Sequence, residues 1–494
     1  MQSRRDQVQA HQFLVSRLTA GLLRADPDAA ETPTRRTNRG ILYGTAVGAL
    51  ISAGFLVFGL LSPGGDSSWR SGHALIIEKG TGTRYVYDGA LRPVRNYASA
   101  RLILGAGLTA DSVSANSLSG AGHGAPVGIT GAPDALPSAG ALDNDPWEVC
   151  ADTRGSGSGA RVSHTTLAVD TDEAGIGVQA GEAVLVSGPD GTEFLVWHAS
   201  RFRLAGGPGI ADALGYGGAR PLPVSAAFLD ALTAGPDLGL PVIAHEGSAG
   251  PVLDDRDTRV GQLFTVRTPG SVQRYYVLLS DGLVPVTATQ AALALADSTV
   301  QRKAYDGGVP RAVALSSHGL TSAVAPDGAA AGHALLQLGS ALPSSPPTLL
   351  PVDDEQSVCV RLAGHRKTGV SVSVLLASSA RLATDSVAPS AALAPACLPV
   401  DSVAVPPDGG SLVRVLGSAG TAVGDTVYLV TDLGVKYRLP SNTSVSDLGY
   451  DVTHAVGLPS TLLRMLPTGP DLSADAAKNG VSKALGEPSC GGAN

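Results

Sequence analysis

A run of 21 residues without a charge, ILYGTAVGALISAGFLVFGLL from Ile41 to Leu61, constrains this chain more than any other part of it. As an α-helix rising about 1.5 Å per residue it spans about 30 Å, the hydrocarbon thickness of a bilayer. A buried core helix seldom stays charge-free for so long. A cleaved signal peptide needs a shorter apolar core near the N-terminus and a small-residue cleavage site. Forty residues precede this run, so it reads as an uncleaved signal anchor crossing one membrane once.

Arginine placement orients the crossing. Arg4, Arg5, Arg17, Arg24, Arg35, Arg36 and Arg39 lie before the span, the last three directly against it. After it comes SPGGDSSW, and the first following cation is Arg70. The positive-inside rule therefore puts the N-terminus in the cytoplasm and residues 62–494 outside it, with Trp69 suited to the outer interface. Cysteine usage agrees with that compartment. Cys150, Cys359, Cys397 and Cys490 form no CxxC pair, which leaves zinc and thioredoxin-like chemistry unsupported. Four widely spaced cysteines outside the cytoplasm read as disulfides, with three connectivities open.

The formal charge of -8 gives no nucleic-acid footprint. With 62 glycines, 33 prolines and only 4% aromatics, the outer part is expected to be α+β, mainly β, with several flexible tracts. The cytoplasmic part, residues 1–40, begins as an amphipathic arm. From Gln2 to Arg24, Val8, Val15, Leu18 and Leu22 recur at helical spacing, Phe13 and Leu14 widen the stripe, and Pro27 ends it. Such an arm lies on lipid or docks on a partner's helix. Its polar face of Gln, His and Arg, without dense lysine, favours a partner.

Internal repeats organise the rest. Leu214–Leu238 and Leu448–Leu472 have equal length and share the opening LGY, the closing GPDL, and Leu229/Leu463 and Leu232/Leu466 between them. A second pair, Ala74–Leu104 and Leu263–Leu295, shares Arg84-Tyr85 with Arg274-Tyr275, Asp88-Gly89 with Asp281-Gly282, and Pro93-Val94 with Pro285-Val286. Hairpin signals at Val184–Val196 and Val427–Leu439 complete four hairpin-plus-helix units, at 72–105, 182–238, 260–297 and 425–472. Each is too small to stand alone, so the units must pack on one another or on a common body. That body is expected from segments 142–181 and 348–424, where Arg161–Val169, Ser357–Ala363, Val370–Leu376 and Ser411–Gly417 alternate like strands. The Ala/Gly/Ser/Pro tracts, 106–141 and about 325–347, read as flexible linkers, and 473–494 as a tail.

No chemistry-bearing motif emerges. The sequence contains no GxxxxGK[ST] loop, no GxSxG elbow and no HExxH pair. His73, His164, His198, His245 and His454 have no partner at metal-ligand spacing, and Asp88-Gly89 and Asp281-Gly282 are first of all turn signals. No catalytic, cofactor-binding or metal-binding residue is assigned, and no cofactor is expected.

The block QSRRDQVQAHQFLVSRL, followed by LLRADPDA, an Arg-rich stretch and one span, resembles the EccB family, membrane subunits of type VII (ESX) secretion systems in mycobacteria and related actinobacteria. NYASARLILG (Asn96–Gly105), WEVC at Cys150, SVCVRL at Cys359 and the LGY…GPDL repeats resemble it too, in one order from Gln2 to about Leu472. The resemblance implies an elongated periplasmic part in which a β-rich central domain carries four repeats in approximate two-fold arrangement. It implies that Cys150 and Cys359 bridge, which leaves Cys397 and Cys490 to each other. It also implies a structural subunit of a plasma-membrane complex with EccC, EccD, EccE, a mycosin protease and further EccB copies, exporting WxG-type proteins. Two rival readings are an ATP-hydrolysing secretion component, a label attached to the family, and a cell-wall-binding membrane protein. Fusions test the topology. Alkaline phosphatase joined after Arg70 is expected to be active and the same reporter joined at the N-terminus inactive; the reverse pattern refutes it.

Overall fold

The computed structural model describes residues 4–25, 33–61, 68–142, 146–155, 161–169, 174–205, 208–239, 243–267, 270, 272–326, 330–365, 369–382, 393–417, 420–480 and 490. The expected stop of the arm at Pro27 and most of the tail after 480 lie outside them. The described chain is mixed α/β, with more strands than helices. It divides into two units, one of 1–91 with 110–124 and the other of 92–109 with 125–494.

The first unit holds the two long helices. Arg4–Arg24 is helical as its periodicity predicts, and Val8, Phe13, Leu14, Leu18 and Leu22 are all exposed. The second helix, Pro33–Leu61, starts before the charge-free run and takes Arg35, Arg36 and Arg39 into its first turns. Its apolar window, Thr37–Phe58, is long enough to cross a membrane and has none of its surface buried within the protein. Such a helix satisfies its own backbone, which is what a bilayer demands.

Most of a sheet ordered Leu91–Pro93, Arg84–Tyr87, Ala74–Glu78, Thr109–Val113 also belongs to this unit, whose bounds fall within the strands Leu91–Pro93 and Thr109–Val113. Trp69, Ile76, Tyr85, Leu91, Val113 and Leu118 form its core. Thr109–Val113 and the helical turn Ala115–Leu118 lie in the tract expected to be a flexible linker. Small and polar residues there conceal a few well-placed apolar ones.

In the second unit a central six-stranded sheet runs Ser402–Ala404, Arg161–Ala168, Trp147–Gly155, Gln356–His365, Gly369–Ser378, Gly175–Gly177. Strand alternation gives it two unlike faces. Trp147, Val149, Ala151, Leu167, Val358, Val360 and Leu362 form one apolar face, whereas Glu148, Cys150, Asp152, Cys359 and Arg361 fall on the other.

Three more sheets lie in this unit, and each repeats the order seen in the first unit. A later strand pairs with the first strand, which pairs with the second, which pairs with the third. In one, Leu222–Pro223 runs parallel to Glu182–Ser187, followed by Glu193–Trp197 and Ser200–Arg203. In the next, Val313–Ala314 runs parallel to Leu263–Val266, followed by Arg274–Leu279 and Gly282–Val286. In the last, Val456–Pro459 runs parallel to Gly410–Leu416, followed by Ala422–Thr431 and Lys436–Leu439.

One strand was misplaced by the sequence. Gly410–Leu416, expected in the central body, begins the last sheet instead, because its partner Ala422–Thr431 follows at once as a hairpin. Alternation identifies a strand without naming its neighbour. The tract 325–347 likewise holds a helix, Ala330–Ala341, with Leu335 and Leu342 buried on one side. Alanine favours helix strongly enough to order a sequence that reads as low in complexity.

The main core joins the central sheet to two of these units. Val184, Val186, Val196, Leu222, Phe228 and Leu229 come from one, and Val413, Val430, Val456, Leu458, Leu462 and Leu463 from the other. Phe228, fully buried in that core, is expected to cost about 3–5 kcal/mol on replacement by alanine. Val272→Ala, at a position 85% exposed, is expected to stay within about 0.5 kcal/mol. Thermal unfolding of the detergent-solubilised chain reads both.

Candidate functional site

The geometry that recurs most faithfully is the end of each LGY…GPDL segment. Arg203 Nε donates to Asp237 Oδ1 at 3.0 Å, and its second nitrogen binds Oδ2. Arg438 Nε donates to Asp471 Oδ1 at 2.9 Å, again with a second bond to Oδ2. Bidentate pairing fixes direction as well as contact. The backbone locks alongside it: Leu238 N–H donates to Arg203 O at 2.7 Å and Leu472 N–H to Arg438 O at 2.9 Å.

The glycine of GPDL has a steric reason in both copies. A Cβ at Gly235 would overlap the Phe202 ring, and one at Gly469 the Tyr437 ring. The tyrosine of LGY also has the same role twice. Tyr216 Oη donates to Pro347 O at 2.8 Å and Tyr450 Oη to Pro137 O at 2.7 Å, at the far ends of the two low-complexity tracts. Burial raises both phenol pKa values well above the ordinary one, so each stays a donor. The sequence signal for the clamp was present as RFRL and KYRL ahead of each GPDL, but pairing across some thirty residues is visible only in the fold.

Helices from the other two units complete these cores. Tyr97–Leu104, capped by Asn96 through Ser99 N–H, places Ala98 and Leu102 among Leu448, Tyr450 and Leu472. Arg101 Nη2 donates to Leu448 O at 2.8 Å. Ala288–Ala296, closed by a Thr287/Gln290 capping box, places Leu293 among Leu214, Tyr216 and Leu238. The tract leading to Pro137 is held as firmly. Asn96 Nδ2 donates to Ile129 O at 2.7 Å, and Ile129 N–H donates to Ser99 Oγ at 2.9 Å.

On the second face of the central sheet, Cys150 and Cys359 stand directly opposite on antiparallel strands, with their sulfurs at disulfide distance, 2.05 Å. Cys397 and Cys490 are likewise at 2.08 Å, with Cys490 exposed. Beside the first pair, Arg361 Nε donates to fully buried Glu148 at 2.6 Å. Glu148, Cys150 and Cys359 each offer a ligand atom within 4.8 Å of the others. Sulfurs joined to each other are not thiolate ligands, and the carboxylate already faces a guanidinium, so this donor set does not suit a metal.

The remaining residues singled out from the sequence are scattered. His198 stacks on Trp197 in a tight turn, His245 sits in a loop with φ 58°, and His454 ends a short helical turn. His73 precedes the first strand of its sheet. Asp88-Gly89 lies in a strand-to-strand turn and Asp281 in another, with Gly282 opening the following strand; φ is 92° at Gly89 and 126° at Gly282. A cleft of about 430 Å³ lined by Gly175, Gly177, His198, Ala199, Arg361 and Ser373 gathers no nucleophile–base pair.

His164 is the exception among the histidines. Its Nδ1 lies 3.6 Å from Asp152 Oδ1, cross-strand on the central sheet, with Arg154 also 3.6 Å from that oxygen. Burial, then Arg154, hold its pKa below 6.5 against the pull of Asp152 and Asp401. Between the folded value and about 6.5 the unfolded chain binds more protons, so stability falls as pH drops through that window. His164→Gln is expected to flatten the loss of thermal midpoint between about pH 7 and 5.

The family model described as "Type VII secretion system ESX-1, transport TM domain B" matches residues 1–482. The chain is 28% identical to "ESX-3 secretion system ATPase EccB3" of Mycolicibacterium smegmatis, over 95% of this chain and 89% of the relative. It is 29% identical to "ESX-1 secretion system ATPase EccB1" of Mycobacterium tuberculosis, over 95% and 93%. The solved "EccB3 dimer from the ESX-3 core complex" superposes with a TM-score of 0.63 at 26% identity, covering 82% of this chain and 99% of that one. With the match extending over almost its whole length, the chain belongs to the EccB family of type VII secretion proteins.

Proposed function

We propose that this protein is a structural core subunit of a type VII secretion membrane complex, holding its assembly together on both sides of the plasma membrane. The observation that carries the reading is the paired clamp, Arg203–Asp237 and Arg438–Asp471, repeated on one central sheet. Four units of one strand order are copies of a single hairpin-plus-helix repeat. The exchange of helices supports an approximate two-fold relation: the helix after the first hairpin enters the fourth core, and that after the third enters the second. Rigid, repeated, motif-poor surfaces suit contact between subunits better than turnover.

The single span sets the N-terminus in the cytoplasm and the β-rich bulk in the periplasm. Below the membrane, the exposed apolar stripe of Arg4–Arg24 grips neighbouring subunits; EccC, EccD, EccE and the mycosin are its proposed partners. Above it, the repeats meet another copy of the chain, in keeping with the dimeric EccB3 relative. The Cys150–Cys359 disulfide ties strands 209 residues apart, a closure that removes about 5 kcal/mol of unfolded-chain entropy.

A second reading, ATP hydrolysis, is favoured by the names of the relatives. The sequence offers it no phosphate-binding loop. Deleting residues 4–24 is expected to abolish co-purification of the complex while leaving this chain in the membrane. Undiminished co-purification would sink the scaffold reading. ATP turnover that survives stringent purification and vanishes in a point variant would establish the second.

A further inference from the structure

The two clamped repeats differ at one charge. In the second sheet Arg201 Nη1 pairs with Asp230 Oδ1 at 3.0 Å, at the end of the helix Ala226–Asp230. Lys436 takes the Arg201 place in the last sheet. Gly235 N–H donates to Arg201 O at 2.9 Å, and Gly469 N–H to Lys436 O at 2.8 Å. The gap-free match of 214–238 with 448–472 then sets Arg464 where Asp230 stands. One repeat closes its charges, with Arg201 and Arg203 against Asp230 and Asp237. The other sets Lys436, Arg438 and Arg464 against Asp471 alone.

Lys436 Nζ donates to the backbone oxygens of Leu463 and Leu466, the latter at 3.0 Å, around the end of the helix Ser460–Arg464. Burial, then the neighbouring Arg464, lower its pKa to about 8. Helix carbonyls offset part of that. Arg438 is occupied by Asp471, and among the described residues no carboxylate pairs with Lys436 or Arg464. Both side chains remain partly solvent-accessible.

We propose that Lys436 and Arg464 receive a carboxylate-bearing segment of a partner protein, which supplies in trans the counter-charge that Asp230 supplies in cis. The site is two cations wide, which suits a single acidic side chain better than a phosphate-dense polymer. The inference rests on the scaffold reading only for the existence of a partner. A direct binding measurement can therefore fail while co-purification of the complex holds.

The full-length protein in detergent is titrated with a fluorescent hexaglutamate peptide, with hexaglutamine and inorganic phosphate as comparison probes. Hexaglutamate is expected to bind, to weaken as salt rises, and to lose about tenfold or more in affinity in Arg464→Asp and Arg464→Gln. Arg464→Asp recreates the pairing of the other repeat, so its thermal midpoint is expected at or above that of the parent. That separates lost binding from lost folding. Absent binding overturns the proposal, as does equal binding by parent and both variants. Phosphate binding as strong as that of hexaglutamate would reveal a simple anion site and overturn the protein-segment assignment.

Discussion

The apolar face of the central sheet is the surface on which the rest of the second unit depends. A hairpin with one helix buries little apolar surface by itself and gains stability from a shared core. Trp147, Val149, Val358 and Val360 share one core with Phe228 and Leu462 of two neighbouring sheets' helices. The other face mixes polar and apolar groups, with a cross-strand cystine among Ala168, Leu375 and Ala377 and the pair of buried Glu148 with half-buried Arg361. A buried ion pair adds little net stability but breaks expensively, which suits a sheet that must keep one register.

In this unit, the same local solution is built twice. An arginine bound at both oxygens of an aspartate, a glycine under an aromatic ring and a tyrosine bonded to a proline carbonyl recur in matched positions. Each interaction is modest, on the order of 1 kcal/mol for a neutral hydrogen bond and more for a charged one. Together they set the direction in which the chain leaves each repeat. The geometry is carried by polar contacts of fixed angle on an apolar base.

Much of this was legible beforehand. The helix across 41–61, the helical arm and the abundance of strands follow from periodicity and composition, and the matching LGY…GPDL segments from self-similarity. What misled was composition. Tracts rich in Ala, Gly, Ser and Pro read as flexible, yet Ile129 is fully buried and Leu335 nearly so. A single apolar residue in a polar tract can find a pocket made by distant segments, and composition averages it away. Gly410–Leu416 shows the second limit, because alternation marks a strand but not the sheet it joins.

The chain's own sequence therefore marks its candidate membrane helix and its matching segments. A long, charge-free helix suits a bilayer, and repeated segments reveal themselves by matching. Tertiary structure decided which unit completes which. Leu102 fills a core some 350 residues later in the chain, Leu293 fills an earlier one, and Asp237 and Asp471 find their arginines across folded segments. Those pairings depend on three-dimensional proximity and angle, which a linear pattern of residue types does not contain. The span itself needed only its own residues, since every backbone group in a helix is satisfied from within.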